Sequence, residues 1–474
     1  MTVAVRLPAG RSAPWFRRCL DQLGNVAEVV TFEASQTEHA DSADVVLDLD
    51  DRSEIGCDGC THARWYFAFG KARSRLPTFA VEAEHGDLLQ VSLIENRDGI
   101  ERSVRSGTFA LLGTHRRSVA ALLEECARWP ALQIAFASES TSTRRPAAAV
   151  PGRPALPERN TTRLPLRSTY RQLGRICKRI VDRTFVVGEW TVGIIESAPS
   201  ALLDPTFRPR VRWLEGPRHE SLADPFVVDT HSQGITLLCE RWTSAGGRGR
   251  IVRLTASRAD VRIQEEFHEP HHVSYPFVVR DENVTYCVPE RHESGCLALY
   301  RIDDTGWHFE RTLLALAAVD ATLFRHEGRW WLFTGDESRL SNVNLFAYSA
   351  HTLCGPWRSH VRNPIKTDVR SARSAGPPFV VDGNLIRPAQ DCSQTYGGAI
   401  AFNRVDRLDD FEFSETVVAR FDPRQLDGSW DGCHTLSFAG RVCAIDARRD
   451  RFEITLPLRR MANRVRRFIA REND

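Results

Sequence analysis

Two hydrophobic rhythms divide the chain. Up to residue 136, short apolar runs such as "VAVRL", "VAEVVTF" and "ADVVLDLD" alternate with the helically spaced "PWFRRCLDQLG". Buried strands alternating with helices predict an α/β domain with a parallel, doubly wound, Rossmann-like sheet. The stretch after the first strand, "LPAGRSAPW", lacks the GxGxxG phosphate loop, so no dinucleotide site is predicted.

From about residue 186 the rhythm changes to strands separated by Gly, Asp and Asn turns. Five related stretches recur: "ADPFVVDTHSQGITLLCERW", "SYPFVVRDENVTYCVPERH", "VDATLFRHEGRWWLFTGDES", "AGPPFVVDGNLIRPAQDCS" and "GCHTLSFAGRVCAIDARRD". Their corresponding positions, Asp224, Tyr275, Asp320, Pro377 and Cys433, are separated by 51, 45, 57 and 56 residues. A hairpin repeating at that interval predicts propeller blades, five in number over 186–455. The upstream "EWTVGIIES" completes the last blade and closes the ring. Trp330 and Trp331 are read as core.

Between these regions, 137–168 is rich in Pro, Ser, Thr and Arg and reads as a linker. A connecting helix is predicted over 169–185 and a basic C-terminal helix over 456–474, both packed with their arginines in water.

Each repeat unit predicts an antiparallel hairpin, in which the start of one strand lies beside the end of the next. The second strands finish in Glu240, Glu290, Asp336, Gln390-Asp391 and Asp446. If the inner strands line a central channel, these acids and the strand starts gather at one mouth. Converging carboxylates raise one another's pKa, which leaves one ionised and one protonated at neutral pH. Glycosidic bond cleavage uses such a pair. Asp224, Glu290 and Asp320 are the candidate catalytic residues. Glu240, Arg241, Tyr275, Arg291, Asp336, Arg373, Arg387, Gln390, Asp391, Tyr396 and His434 are candidate sugar contacts.

Composition narrows the alternatives. The formal net charge of the 474 residues is +2, which gives no electrostatic case for a nucleic-acid partner. No run of about 18 apolar residues predicts a membrane span. The first residues lack the apolar core of a secretory signal, and the 12 cysteines show no framework spacing, so a reduced cytoplasm is expected. The one CxxC, Cys57 to Cys60 with His62 nearby, reads as a thiol loop; no metal or other cofactor is predicted.

Asp224-Pro225, "VDATLF" and "AGPPFVVDGNLIR" resemble the five-bladed furanosidase-type propellers of arabinanases, xylosidases and invertase relatives. The resemblance implies Asp224 as base or nucleophile and Asp320 as the residue that tunes pKa and position. The family's general-acid Glu is absent: Ala375-Gly376-Pro377 stands there, and Glu290 is the candidate replacement. "HHVSYPFVVRDENVTYCVPE" and "RSAGPPFVVDGNLIRPAQDCSQTYGGAI" resemble the propeller domain of glucosamine inositolphosphorylceramide transferase proteins. "ADVVLDLD…RWYFAFG…LPTF…VSLIENRDG" is similar to the formyltransferase-like domain that precedes this propeller in bacterial relatives, without the His-x-Ser-Leu-Leu-Pro type segment of active enzymes.

These readings imply a carbohydrate-active protein that hydrolyses or transfers glycosyl groups on a glycan or glycoconjugate. The alternatives are a non-catalytic glycan-binding propeller and formyl transfer to an amino sugar by residues 1–136.

Overall fold

The computed structural model describes residues 1–8, 13–33, 43–50, 63–71, 73–79, 82, 88–111, 114–139, 174, 177–178, 180–214, 216–217, 220–231, 234–243, 248–257 and 260–462. The chain forms two compact units, Met1–Ile176 and Cys177–Asp474. The CxxC with His62, and residues 140–168 of the predicted linker, lie outside the described residues.

The first unit holds a six-stranded sheet. Its order is Glu28–Glu33, Thr2–Leu7, Val45–Asp48, Ala63–Phe69, Leu89–Arg97, Ile100–Phe109. The first four strands are parallel, as their apolar runs predict. The last two are antiparallel, so the sheet is mixed and the expected all-parallel sheet is corrected. The cause is local. Asp98 and Gly99 both adopt left-handed angles (φ 54° and 77°), the demand of a two-residue hairpin turn, and "RDGI" supplies the residues that tolerate it. Helices described in this unit include Pro14–Gly24, His115–Cys126 and Trp129–Glu139. The last of these carries the chain three residues into the predicted linker.

The second unit is a five-bladed β-propeller. Blade 1 runs from the inner strand Glu220–His231 outward through Gly234–Thr243, Arg250–Ser257 and Val261–Phe267. Blade 2 is built from Ser274–Asp281, Val284–Glu290, Leu297–Asp303 and Gly306–Leu314. Blade 3 comprises Ala318–His326, Arg329–Asp336, Asn344–Ala350 and the short Arg358–Ser359; blade 4, Phe379–Val381, Asn384–Asp391, Ala399–Leu408 and Phe413–Phe421. Blade 5 joins the two ends of the unit. Leu436–Ala439 and Val442–Phe452 are completed by Val186–Glu196 and Val211–Leu214. Eleven antiparallel pairs, from Val442↔Glu196 to Phe452↔Val186, join the two ends of the unit within one blade and so seal the ring.

Apolar faces between blades make the core. Trp330 and Trp331 are both 3% exposed, and strand alternation sends them opposite ways. Trp330 packs with Phe277, Val288 and Leu299 of blade 2, and Trp331 with Leu385 and Leu408 of blade 4. The inner strand of blade 1 packs against those of blades 2 and 5. That contact brings residues distant in the chain to one place.

Candidate active site

Hairpin pairing sets each acid beside the start of its inner strand. Glu240 stands opposite Ala223, Glu290 opposite Ser274 and Asp336 opposite Ala318. Just beyond these pairs the inner strand bulges. Asp224, Tyr275 and Asp320 take left-handed backbone angles (φ 50°, 40° and 49°), and the register slips at each. Such angles cost a non-glycine residue on the order of 1–3 kcal/mol, and they concentrate at functional sites. In blade 4 a glycine, Gly376, makes the turn (φ 121°), where a Cβ would collide with the Leu436 carbonyl.

A side chain from another blade holds each of these turns. Asp446 of blade 5 accepts the Asp224 N–H at 3.0 Å, Asp224 accepts the Tyr275 N–H at 3.1 Å, and Glu290 accepts the Asp320 N–H at 3.0 Å. The Gly376 N–H donates to the Tyr275 hydroxyl at 2.8 Å, and that hydroxyl also meets Thr322 Oγ1 at 2.9 Å. The acids of the repeat therefore work first as clasps between blades.

The clasps converge in one buried polar network. Asp224, Glu290 and Asp320 are 4%, 6% and 3% exposed. Asp320 Oδ2 receives Arg373 Nε at 2.6 Å and Gln390 Nε2 at 2.7 Å. Arg373 also donates to Asn342 Oδ1 at 2.9 Å and lies 5.0 Å from the ring centroid of Tyr396. Tyr396 is 39% exposed and is the solvent-facing aromatic of the group. Its ring sits 5.3 Å from that of His434, which lies 4.1 Å from Trp190.

Burial pushes the Asp224 carboxyl up; His434 opposes that push and Asp446 adds to it. Burial likewise pushes Asp320 up, against the pull of Arg373. Glu290 behaves oppositely. Burial disfavours its charge, but His292 at 3.0 Å, Arg373 and the Asp320 N–H prevail and hold it at about 2. Glu290 is thus a carboxylate at neutral pH with both oxygens accepting. Its surroundings give it no proton to donate, contrary to the role expected for it as the acid.

His434 lies between two carboxylates, Nδ1 at 2.8 Å from Asp446 Oδ2 and Nε2 at 3.4 Å from Asp224 Oδ1. Burial disfavours a charge on the ring, yet the two carboxylates lift it to about 9. Asp224, His434 and Asp446 offer ligand atoms within 4.8 Å of one another, a metal-like grouping among the described residues. Both ring nitrogens already face carboxylate oxygens, which suits an imidazolium and not a ring with a lone pair to give.

Other predicted contacts lie apart from this network. Arg241 is paired with Glu220 at 2.7 Å, and Arg291 with Glu269 at 3.0 Å and the Tyr300 hydroxyl at 2.6 Å. Arg387 is 1% exposed and holds Glu415, which also binds Lys366. Asp336 accepts from Ser338, and Asp391 pairs with Arg420. Tyr275 does belong to the network, but fully buried, as the cross-blade link described above. Conversely, His292, Asn342 and Thr435 belong to the network, and His272 pairs with Glu240 at 3.2 Å; none of the four was among the candidates. The dipeptide before "VSYP" and the histidine after "PER" were the only signals for His272 and His292.

Residues 217–440 match the family model described as glucosamine inositolphosphorylceramide transferase 1, N-terminal. The protein of that name from Oryza sativa subsp. japonica is 36% identical over 211 residues, 42% of this chain and 28% of its own length. That from Arabidopsis thaliana is 34% identical over 225 residues, 44% of this chain and 29% of its own. The chain thus spans less than a third of the curated relatives it matches. Among solved structures, a thermostable family-43 glycoside hydrolase covers 42% of this chain and 76% of its own at 14% identity, with a TM-score of 0.33. The catalytic domain of a Coprinopsis cinerea GH62 α-L-arabinofuranosidase covers 52% and 95% at 13% identity, with a TM-score of 0.35. Among the described residues no helix is long and apolar enough to cross a membrane.

Proposed function

We propose that the propeller mouth is a carbohydrate-processing centre that hydrolyses or transfers a glycosyl group of a glycan or glycoconjugate. The observation that carries this reading is the meeting of Asp224, Glu290 and Asp320, from three blades, in one hydrogen-bonded network, with Asp224 and Asp320 on left-handed turns. The match of residues 217–440 to the N-terminal part of glucosamine inositolphosphorylceramide transferase 1 supports the substrate class. Asp224 acts as base or nucleophile toward the sugar or its acceptor. Asp320, held by Arg373 and Gln390, sets position and charge. Glu290 contributes a fixed negative charge beside the developing positive charge of an oxocarbenium-like centre. Tyr396 offers a partly exposed ring over Arg373 against which a sugar face packs.

The test is turnover of a panel of glycans and glycolipids by the parent protein and by Asp224→Asn, Asp320→Asn and Glu290→Gln. Losses in Asp224→Asn and Asp320→Asn support the reading, and unchanged turnover in all three rejects it. A second reading is a glycan-binding propeller without turnover, favoured by the fully buried Ala375 where the resemblance expects an acid. Binding on a glycan array with no product formed selects it. For the first unit we propose a scaffold or binding module, to be assayed for formyl transfer with a formyl-tetrahydrofolate donor. A reducing, cytoplasmic setting is proposed for the chain; the ten described cysteines, unpaired, are in keeping with it.

A further inference from the structure

We propose that Glu240, hydrogen-bonded to His272, is the general acid of the propeller mouth and takes the part of the acid missing at Ala375. The proposal rests on the carbohydrate reading above and names a residue that the resemblance does not assign.

The geometry begins with strand pairing. Glu240 lies within the second strand of blade 1, three residues before its end and opposite Ala223, so it flanks the Asp224 turn. Arg241, next along the strand, projects to the other face and pairs with Glu220, so that cation does not neutralise Glu240. Instead Glu240 Oε1 meets His272 Nε2 at 3.2 Å. The other ring nitrogen, Nδ1, accepts the Gly249 N–H at 2.9 Å. A ring that accepts at Nδ1 carries its proton on Nε2. His272 thereby presents Nε2 as a donor to one oxygen of Glu240; burial opposes a charge on the ring, and the carboxylates of Glu240, Glu290 and Asp224 prevail and raise its pKa. The arrangement needs glycine at 249: a Cβ there would collide with Glu240 Oε1 and the Val273 carbonyl.

The other oxygen, Oε2, receives no hydrogen bond from a described residue. That distinguishes Glu240 from Glu290, whose two oxygens both accept, and from Asp224, whose oxygens accept from Thr435 and Tyr275. Glu240 alone of the three has an oxygen that accepts from no described residue. The charged and titratable groups that act on it are His272, Asp224 and Glu290. Burial, reinforced by Asp224 and Glu290 and opposed by His272, lifts its carboxyl to about 7. This is where a group that both holds and releases a proton near neutrality should stand.

The step balances. The bond from the anomeric carbon to the leaving oxygen breaks, and the Glu240 proton passes to that oxygen. A bond forms from the anomeric carbon to the oxygen of water or of an acceptor hydroxyl, whose proton passes to Asp224. Solvent then returns a proton to Glu240 beside His272, which is 33% exposed, and removes the one on Asp224.

The probes are two sets of glycosides of the same sugars, 2,4-dinitrophenyl glycosides, whose leaving group needs no proton, and methyl glycosides, whose leaving group does. Glu240→Gln should lose about 100-fold or more in kcat/KM on the methyl set and only a few-fold on the dinitrophenyl set. Asp224→Asn should lose both. Should Glu240→Gln not fold, His272→Gln at the partly exposed neighbour is the second variant. It removes a donor that favours the Glu240 carboxylate, so the basic limb of the pH profile should move to higher pH. Equal losses of Glu240→Gln on both sets, or an unmoved basic limb in His272→Gln, overturn the assignment while Asp224-dependent turnover still stands. If the parent turns over neither set nor any glycan, the carbohydrate-processing reading fails and this assignment falls with it.

Discussion

The Glu290 carboxylate of blade 2 accepts the backbone N–H of Asp320 in blade 3 at 3.0 Å, and the two residues are 30 positions apart. One acid thus holds the left-handed turn on which another is displayed. Glu290→Ala leaves that buried N–H without a partner and should cost about 1–3 kcal/mol in urea unfolding. Glu290→Gln keeps an acceptor and should cost less. Because the folded Glu290 carboxyl sits at about 2, below its usual 4.5, its contribution is present above pH 4.5 and is lost as the pH falls through about 2. Glu290→Gln should flatten that part of the acid-unfolding curve.

The Asp224–His434–Asp446 group has the opposite pH dependence. His434 is lifted from 6.5 to about 9, so its stabilising effect is full below pH 6.5 and disappears as the pH rises through about 9. Thermal unfolding should show Tm declining over that window in the parent protein. In His434→Gln the decline should be absent, with lower stability at pH 6.

Much of the propeller is written in local pattern. The five related hairpins, the apolar faces of the strands and the acids at their ends all lie within single repeats. So do the buried tryptophans at 330 and 331, which alternation assigns to opposite faces. What joins one blade to the next is not local. That Asp446 would accept the Asp224 N–H depends on ring closure across 222 residues. The left-handed angles at Asp224, Tyr275 and Asp320 carry no residue signature, since none is glycine. In the first unit the signal was present but unweighted: Asp98-Gly99 specifies a hairpin and makes the sheet mixed.

Arg387 illustrates the same boundary. An arginine near the end of an inner hairpin reads as a sugar contact, but Glu415, 28 residues on, pairs with it in the interior. Arg387→Ala should strand Glu415 with Lys366 alone and cost about 3–5 kcal/mol. Glycan binding per folded molecule should not change. Weakened binding with unaltered urea midpoint would place Arg387 at the mouth instead.

Arg373 differs because it is part of the network. Arg373→Lys keeps a positive charge but not the planar fork that reaches Asp320 and Asn342 together while lying against Tyr396. Its KM for the best glycan of the panel should rise several-fold with a modest change in unfolding midpoint. Arg373→Ala leaves Asp320 buried with Gln390 as its remaining side-chain donor, and should lower stability by about 3–5 kcal/mol.

The central claim is that the acids at the mouth act on a sugar as well as clasping blades, and Asp224→Asn separates the two roles most directly. The amide oxygen still accepts the Tyr275 N–H, so that inter-blade clasp survives while the base, and the oxygen that accepts from Thr435, are removed. Binding and turnover of the glycan panel should be measured side by side in this variant and the parent. The account predicts retained binding with turnover reduced about 100-fold or more. Turnover equal to the parent's would contradict it and leave Asp224 a structural clasp only.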